Sequence, residues 1–392
     1  MAPRRPLSTI PEEKERMSAP RVSISDQDPG SDRAVTLGDR VRAMAREIGF
    51  DAVGIARANV DLHADIAHYD AFVAAGMHGE MDWLARNRDA RARVDGDEIL
   101  RGARSVLCVA RRYQRPPDSE PGDSETAQAI AGYARGRDYH RFLRRRLRRL
   151  ATFLRSLGSA ERPVRARPIC DDAPLLERAW AARAGLGFVG KNGLLIVPGA
   201  GSFVLLGEVV TTLVLEPSTG MTHRCGACTR CLDACPTDAF SAPFVLDARR
   251  CVSYLTIEHR AGIPASLREG VGTHLFGCDD CQTVCPFNAG SFARAPLRAR
   301  DGDPFAPLER WSRVRLVDLL ALDEREWNEL AEGTPLRRAG RFGIARNAAI
   351  VLGNRRDARA RPALERAADG HDGAIVRDAA VWALTRLERS VQ

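Results

Sequence analysis

Ten cysteines occur in the chain, and eight of them lie in two short runs and the stretch between. The first run is Cys225-Gly-Ala-Cys228-Thr-Arg-Cys231-Leu-Asp-Ala-Cys235-Pro236, and the second is Cys278-Asp-Asp-Cys281-Gln-Thr-Val-Cys285-Pro286. Thiolates spaced C-x2-C-x2-C-x3-C-P hold iron–sulfur cubes: the three close cysteines wrap one cube and the fourth reaches the other. The second run lacks its first cysteine, because Leu275 stands there, and Cys251 is the nearby cysteine left to fill the gap. The thiolates then close into two sets of four: Cys225, Cys228, Cys231 and Cys285, and Cys235, Cys251, Cys278 and Cys281. The implied chemistry is one-electron transfer through two [4Fe–4S] clusters. Structural zinc on two four-cysteine sites is the alternative; a third close cysteine and a Cys-Pro pair ending each run fit it poorly.

A bacterial-ferredoxin-like pair of clusters needs far less chain than 392 residues. The region ahead of the cysteines must therefore hold an electron acceptor, a substrate or both. Asp171 is predicted at the carboxyl end of a strand, followed by Glu177-Arg178 and a glycine loop with Lys191. A lone aspartate is ordinarily a helix cap or an ion-pair partner. As a proton donor it needs burial or a polar partner.

Two patterns here mislead. Gly185-Leu-Gly187-Phe-Val-Gly190 spells G-x-G-x-x-G, but a helix precedes it and an apolar strand follows. That order is the reverse of a dinucleotide-binding turn. Asp61-Leu-His63 begins like a cobalt-binding D-x-H-x-x-G motif, but Ile66 replaces the glycine and His63 reads as a surface residue.

The elements that must position these residues follow from periodicity. Helices are predicted over 36–48, 66–84, 139–157 and 174–184, and strands over 51–56, 104–110, 164–170 and 202–215. In the third helix Leu143, Leu147, Leu150, Leu154 and Leu157 share a face, and Arg144, Arg145, Arg148, Arg149 and Arg155 take the other. That arginine face suits phosphates or simply solvent. Cys108 reads as core. Near the C-terminus, Ile344-Ala-Arg346-Asn-Ala-Ala-Ile-Val-Leu352 recurs as Ile375-Val-Arg377-Asp-Ala-Ala-Val-Trp-Ala383, with a helix at 362–368 between. Such helix pairs resemble HEAT repeats.

The expected fold class is α+β. Residues 1–35 form a disordered tail, 36–215 an α/β domain, 216–300 a ferredoxin-like module, and 301–392 HEAT-like helical repeats. The net charge of +8 suits an anionic partner such as nucleic acid. No run of about 18 apolar residues exists. Arg4-Arg5 is followed by Pro11-Glu-Glu-Lys-Glu-Arg16 rather than an apolar export segment. Cysteines in cluster spacing call for a reducing compartment, so a cytoplasmic protein is expected, and nothing calls for an obligate oligomer.

Taken together, Gly136-Arg-Asp138-Tyr139-His140, Asp171-Asp-Ala-Pro174-Leu-Leu-Glu177-Arg178, Ala184-Gly-Leu-Gly187-Phe-Val-Gly190-Lys191-Asn192 and the two cysteine runs resemble the epoxyqueuosine reductase family. The resemblance runs from about residue 36 to the end. It implies a cobalamin cycling between cob(II)alamin and cob(I)alamin, held by residues 36–215 without a protein histidine on cobalt. It implies electrons arriving through both clusters from a low-potential donor. The reaction implied is reduction of epoxyqueuosine to queuosine at the tRNA wobble position, with Asp171 as proton donor. Arg93, Ala134, Asp171, Ser253 and Arg260 are the implied cobalamin contacts. Ala134 replaces a cysteine found in other members, so that cysteine is no part of the shared mechanism. Glu258, with Arg260, is implied to border the tRNA pocket, and the C-terminal repeats to grip the anticodon stem-loop. The competing readings are a reductive dehalogenase and a non-catalytic electron-transfer or scaffold protein.

Overall fold

Strand β2 (Ser105–Arg112) is apolar along most of its length, and its residues alternate between two cores. It pairs with β1 (Ala52–Arg57) on one side and β6 (Val204–Thr211) on the other; β6 in turn pairs with β3 (Ala166–Ile169). Every pairing in this four-stranded sheet is antiparallel. Two two-stranded hairpins accompany it: β4 (Phe188–Val189) with β5 (Leu195–Ile196), and β7 (Phe240–Ala242) with β8 (Val245–Leu246). The computed structural model describes residues 35–113, 124–289 and 305–388, so the tail expected over residues 1–35 lies almost wholly outside them.

Side chains alternate across a strand, and this divides the core. Leu107, Val109 and Val209 face the helices Leu37–Ile48 and Tyr139–Arg155, which contribute Val41, Ala45, Leu143, Leu147, Leu150 and Leu154. Val106, Cys108 and Val210 face the other way, onto Ile66, Ala179 and Trp180. Helix Leu37–Ile48 is held at both ends: Thr36 and Asp39 form a capping box, and Gly49 closes it in the left-handed conformation. Cys108 is fully buried, as expected of core.

The fold is mixed α+β. Helices do follow strands along the chain, but no two hydrogen-bonded neighbours in the sheet run parallel: β3 runs parallel to β2, and the later strand β6 lies between them, antiparallel to both. The helix expected over 66–84 runs from His63 to Ala74 and stops. Gly76 and Gly79 then turn the chain with φ of 61° and 59°. A Cβ on Gly79 would lie 2.4 Å from the Tyr254 hydroxyl, so this turn is packed against the cysteine-bearing segment. The helix expected over 174–184 begins only at Glu177, because Asp171 to Pro174 form a turn.

The C-terminal region is helical, with helices Gly340–Arg355, Arg361–Gly370 and Ala374–Glu388. Its core is shared with the cysteine segment: Tyr254, Leu255, Leu275 and Phe276 pack in one cluster with Trp311, Ile350, Leu364 and Ala380. Among the described residues no helix is long and apolar enough to cross a membrane.

Candidate functional site

The two cysteine runs fold alike. In the first, Leu232, Asp233 and Ala234 donate to the carbonyls of Thr229 and Arg230; in the second, Gln282, Thr283 and Val284 donate to those of Asp279 and Asp280. Each run thus makes one helical turn, between Cys228 and Cys235 in the first and between Cys278 and Cys285 in the second. Where a symmetric run would place a cysteine, Leu275 is fully buried, and its carbonyl accepts from Asn347 Nδ2 at 2.9 Å. Cys251 stands instead just before helix Val252–Ile257, with the backbone N–H groups of Ser253 and Tyr254 turned to its sulfur.

Burial and neighbouring thiols raise several of the cysteines. Burial, then the charges of Cys225, Cys285 and Cys228, push Cys231 up. Burial, then Cys251 and Cys231, pushes Cys281 up to about 12, with Asp279 and Cys235 also contributing. Burial also raises Cys278, with Cys251 and Cys281 adding to it. Cys231 and Cys281, which spacing assigns to different sets, feel one another, so the two cysteine runs lie side by side. Among the described residues only His274, Cys278 and Asp280 gather three metal-capable atoms within 4.8 Å. Four thiolates about 2.3 Å from one zinc ion would be drawn as closely together; these cysteines are spread wider, which fits a cube.

The glycine loop braces this segment. Lys191 Nζ donates to the carbonyls of Gly226 at 2.8 Å and Cys228 at 3.0 Å, and Asn192 Nδ2 donates to that of Cys281 at 3.3 Å. The glycines serve close approach: a Cβ on Gly187 would sit 2.0 Å from the Ile196 carbonyl oxygen, and one on Gly185 2.3 Å from that of Thr219. No phosphate is needed to explain them. His63 is exposed, in keeping with a surface role.

Asp171 sits in the turn after β3 with φ of 54°, a left-handed conformation that an aspartate adopts at some strain. Its side chain is 67% exposed, and the groups nearest it are polar. Tyr139 hydroxyl approaches Asp171 Oδ2 at 3.4 Å and His140 Nε2 at 3.5 Å, while Glu177 Oε1 accepts from its backbone N–H at 3.0 Å. His140 Nδ1 lies 2.7 Å from Asp138 Oδ1, and the Tyr139 and His140 rings stack at 4.0 Å. Burial pulls the imidazole down, but the two carboxylates outweigh it and hold His140 at about 9, so it is charged at neutral pH. Behind Asp171, burial and then the Asp171 charge push Glu177 up to about 7. Glu208 is fully buried on β6 opposite Cys108, with no hydrogen bond to either carboxylate oxygen; burial, then Glu177, drives its pKa far up.

An aromatic path joins Asp171 to the second cysteine run. Tyr139 meets Tyr133 edge-on at 6.1 Å, and the neighbouring Gly132 N–H donates to Asp279 Oδ2 at 2.7 Å. Burial, then Asp279, Glu258 and Asp171, raise the Tyr133 phenol, so it stands between those carboxylates. Glu258 holds Arg338 through Nη2 at 2.9 Å, and Arg338 lies 4.8 Å over the ring of exposed Trp83. Arg260 N–H donates to Glu80 Oε2 at 2.7 Å, and its guanidinium reaches the carbonyl of Ala339. Ser253 is half-buried, and its hydroxyl makes no hydrogen bond within the described residues.

Two expected site residues stand apart. Arg93 pairs with Asp95 at 2.8 Å, with its side chain 65% exposed, and shares no polar contact with Asp171, Glu258 or the cysteines. Ala134 is fully buried and presents no side-chain surface. Sequence reasoning quoted Tyr139 and His140 only within a motif and passed over Tyr133, Trp83, His274 and Arg338. The residue pattern Asp138-Tyr139-His140 at a helix start was the signal available for His140; Trp83 and Arg338 are far apart in the chain and left none.

Comparison with known proteins places these features in context. A family model described as "4Fe-4S double cluster binding domain" matches residues 224–288, and one described as "Epoxyqueuosine reductase QueG, DUF1730" matches residues 93–172. The epoxyqueuosine reductase of Xanthomonas campestris pv. campestris is 41% identical over 350 residues, covering 88% of this chain and 95% of that protein. That of Pseudomonas aeruginosa is 40% identical, covering 93% of this chain and 97% of the relative. Among solved structures, an epoxyqueuosine reductase with a tRNA-Tyr epoxyqueuosine-modified stem loop matches with a TM-score of 0.79 at 30% identity, over 89% of each chain. The Bacillus subtilis epoxyqueuosine reductase, solved with an aspartate-bearing catalytic loop swung out of its active site, matches with a TM-score of 0.78 at 30% identity, over 89% of this chain and 90% of that one.

Proposed function

The chain belongs to the epoxyqueuosine reductase family, and from that membership we propose that it reduces epoxyqueuosine to queuosine at the wobble position of tRNA. The observation that carries the reading to particular residues is the placement of Asp171. Tyr139 and His140 hold it at one end of an aromatic path whose other end is the second cysteine run. Relatives across most of the chain are epoxyqueuosine reductases, which disfavours the dehalogenase and scaffold readings.

Cys225, Cys228, Cys231 and Cys285 would hold one [4Fe–4S] cluster, and Cys235, Cys251, Cys278 and Cys281 the other. A cobalamin would lie over the exposed face of Asp171, with Ser253 and Arg260 at its rim. Ser253's unbonded hydroxyl suits the amide-rich edge of a corrin. Arg93 and Ala134 would have to move, or act through backbone, to join it. When bound, the corrinoid supplies a low-valent metal centre able to deliver electrons to the epoxide.

The chain's own residues handle the proton. Asp171 protonates the epoxide oxygen as its C–O bond breaks, because an alkoxide leaves poorly without a proton. The His140 imidazolium, anchored on Asp138, is placed to reprotonate Asp171. Glu258 and Arg338 border the substrate pocket. The exposed Arg145, Arg148 and Arg149 offer phosphate contacts. The C-terminal helices, as HEAT-like repeats, would grip the anticodon stem-loop. Equivalent positions there behave alike: Ala348, Ala349, Ala379 and Ala380 are all buried, and Arg346 and Arg377 both bind main-chain carbonyls. A cytoplasmic setting follows from a tRNA substrate.

The test is an anaerobic incubation of cluster-reconstituted protein with epoxyqueuosine-bearing tRNA and a strong one-electron reductant, with and without cobalamin. Mass spectrometry of the nucleosides should show loss of one oxygen only when cobalamin is present. Single-turnover activity of Asp171→Ala near wild type would remove Asp171 from the proton-donor role.

A further inference from the structure

We propose that Tyr133 is a second catalytic residue, whose phenol hydroxyl donates a hydrogen bond to the epoxide oxygen while Asp171 delivers the proton. The inference rests on the proposed reduction and names the group that steadies the oxygen as its bond opens.

Packing fixes where this phenol points. Tyr133 lies in the short turn Gly132–Ala134. Gly132 N–H donates to Asp279 Oδ2 at 2.7 Å, and Ala131 N–H to the carbonyl of Phe276 at 2.9 Å, so the turn is tied to the second cysteine run. The ring meets Tyr113 edge-on at 6.3 Å and Tyr139 edge-on at 6.1 Å, and leans on Phe276 at 6.3 Å. Its Cε1 edge lies against Gly277, where an added Cβ would come within 3.7 Å. A ring held on all these sides has little freedom to redirect its hydroxyl.

The phenols gathered here are not alike. The Tyr139 hydroxyl is directed at Asp171 Oδ2, and the Tyr113 hydroxyl accepts from Gln282 Nε2 at 3.4 Å. The Tyr133 hydroxyl makes no hydrogen bond among the described residues. Burial, then the charges of Asp279, Glu258, Asp171 and Asp138, raise it, so it stays protonated through the physiological range and acts as a donor. Each of those carboxylates is engaged elsewhere: Asp279 by Gly132 N–H and Gln282 Nε2, Glu258 by Arg338, Asp138 by His140, and Asp171 by Tyr139 and His140. An unmatched donor is a cost to the fold, and phenylalanine would fill the same space without it.

The acceptor that suits this donor is on the substrate. Tyr133 stands between Asp171, which serves the epoxide, and Glu258, which borders the substrate pocket. As the C–O bond breaks, its electron pair passes to the oxygen, Asp171 supplies a proton to that oxygen, and Tyr133 keeps its own. Until the proton arrives, the oxygen gathers negative charge among carboxylates that repel it. A neutral donor aimed at the oxygen offsets the repulsion, as donors do wherever an oxyanion develops.

The experiment compares the wild type with Tyr133→Phe, which keeps the ring and deletes the hydroxyl. Cluster- and cobalamin-loaded protein, without reductant, is titrated with anticodon stem-loops carrying epoxyqueuosine or queuosine, and fluorescence anisotropy gives the affinities. These ligands differ by the epoxide oxygen, so the wild type should favour epoxyqueuosine about tenfold and the variant should lose most of that preference. With reductant, single-turnover conversion should slow at least tenfold in the variant, by the same factor from pH 6 to 8, because the phenol does not titrate there. The melting temperature should not fall. Equal affinity of the wild type for the two stem-loops would overturn the proposal. So would a variant that keeps both the preference and the rate, or one that keeps the preference but releases cobalamin, which would put the hydroxyl on the corrinoid. A slower variant that melts lower and keeps its preference would make the role structural and overturn it too. A wild type that prefers epoxyqueuosine but does not convert it would count against the proposed reaction alone, since the hydrogen bond is read from affinity.

Discussion

Asp138→Asn tests the proton relay without dismantling its scaffold. Asp138 Oδ1 caps the Tyr139–Arg155 helix by accepting from the His140 N–H at 2.9 Å, and asparagine can keep that bond. What the variant loses is the negative charge 2.7 Å from His140 Nδ1. In the wild type that charge and Asp171 lift the imidazole from 6.5 to about 9 against the pull of burial. The raised value means the imidazolium is present below that pH and lost as pH rises through it. With Asp138 neutralised, Asp171 at 3.5 Å remains. The side chain is 27% exposed and solvent screens part of the pair, so a fall of about one unit is the working figure rather than the whole rise. At pH 9 the charged fraction then drops from about one half to about one tenth, a fivefold loss of rate; at pH 6 both proteins are charged and equal. Single-turnover conversion of an epoxyqueuosine stem-loop from pH 6 to 10 reads this directly, with the His140 ring titrated by NMR alongside. An alkaline limb that stays near pH 9 in the variant, or a rate lowered equally at every pH, would refute the relay.

Three further outcomes follow from the packing. Arg346 is 1% exposed and donates to the carbonyls of Leu255, His259 and Ala261 at 2.6–2.8 Å. Arg346→Met leaves these buried acceptors bare and should destabilise the protein by about 3 kcal/mol, with hydrogen-exchange protection lost first over 255–261; a loss under about 1 kcal/mol would contradict this. Gly187→Ala places a Cβ 2.0 Å from the Ile196 carbonyl, so the β4–β5 hairpin should break and iron retention should fall; full iron content at wild-type stability would show the contact relaxes freely. His274 Nε2 lies 3.0 Å from Asp280 Oδ2 and 3.7 Å from Cys278 Sγ, so it must carry the proton it offers to both. His274→Leu removes that donor from a thiolate that grows more negative on reduction, and the second cluster's potential should fall by about 40 mV, roughly one hydrogen bond, in an EPR-monitored redox titration. An unchanged potential would show that the sulfur does not feel His274.

The sequence by itself determined the parts of this protein whose chemistry depends on local spacing. Two thiolates three residues apart must share one turn, so the helical turn in each cysteine run was legible before any fold. The leucine stripe from Leu143 to Leu154 was legible for the same reason, since a helix brings every third and fourth residue to one face. Tertiary structure alone decided what depends on strand direction and on long-range approach. Alternating helices and strands read equally well as a parallel or an antiparallel sheet, and only the register of β1, β2, β6 and β3 settled it. The helix–strand order already spoke against a phosphate cradle in the glycine loop, but what its glycines are for showed only when Ile196 and Thr219 were seen against its backbone. Asp171 could be named from the chain, but its partners could not be ranked: Tyr139 and His140 reach it across 32 and 31 residues because the helix they begin packs on the sheet whose edge strand delivers the aspartate. Local periodicity encodes an element and its buried face; which faces meet is set by the packing of all the elements at once.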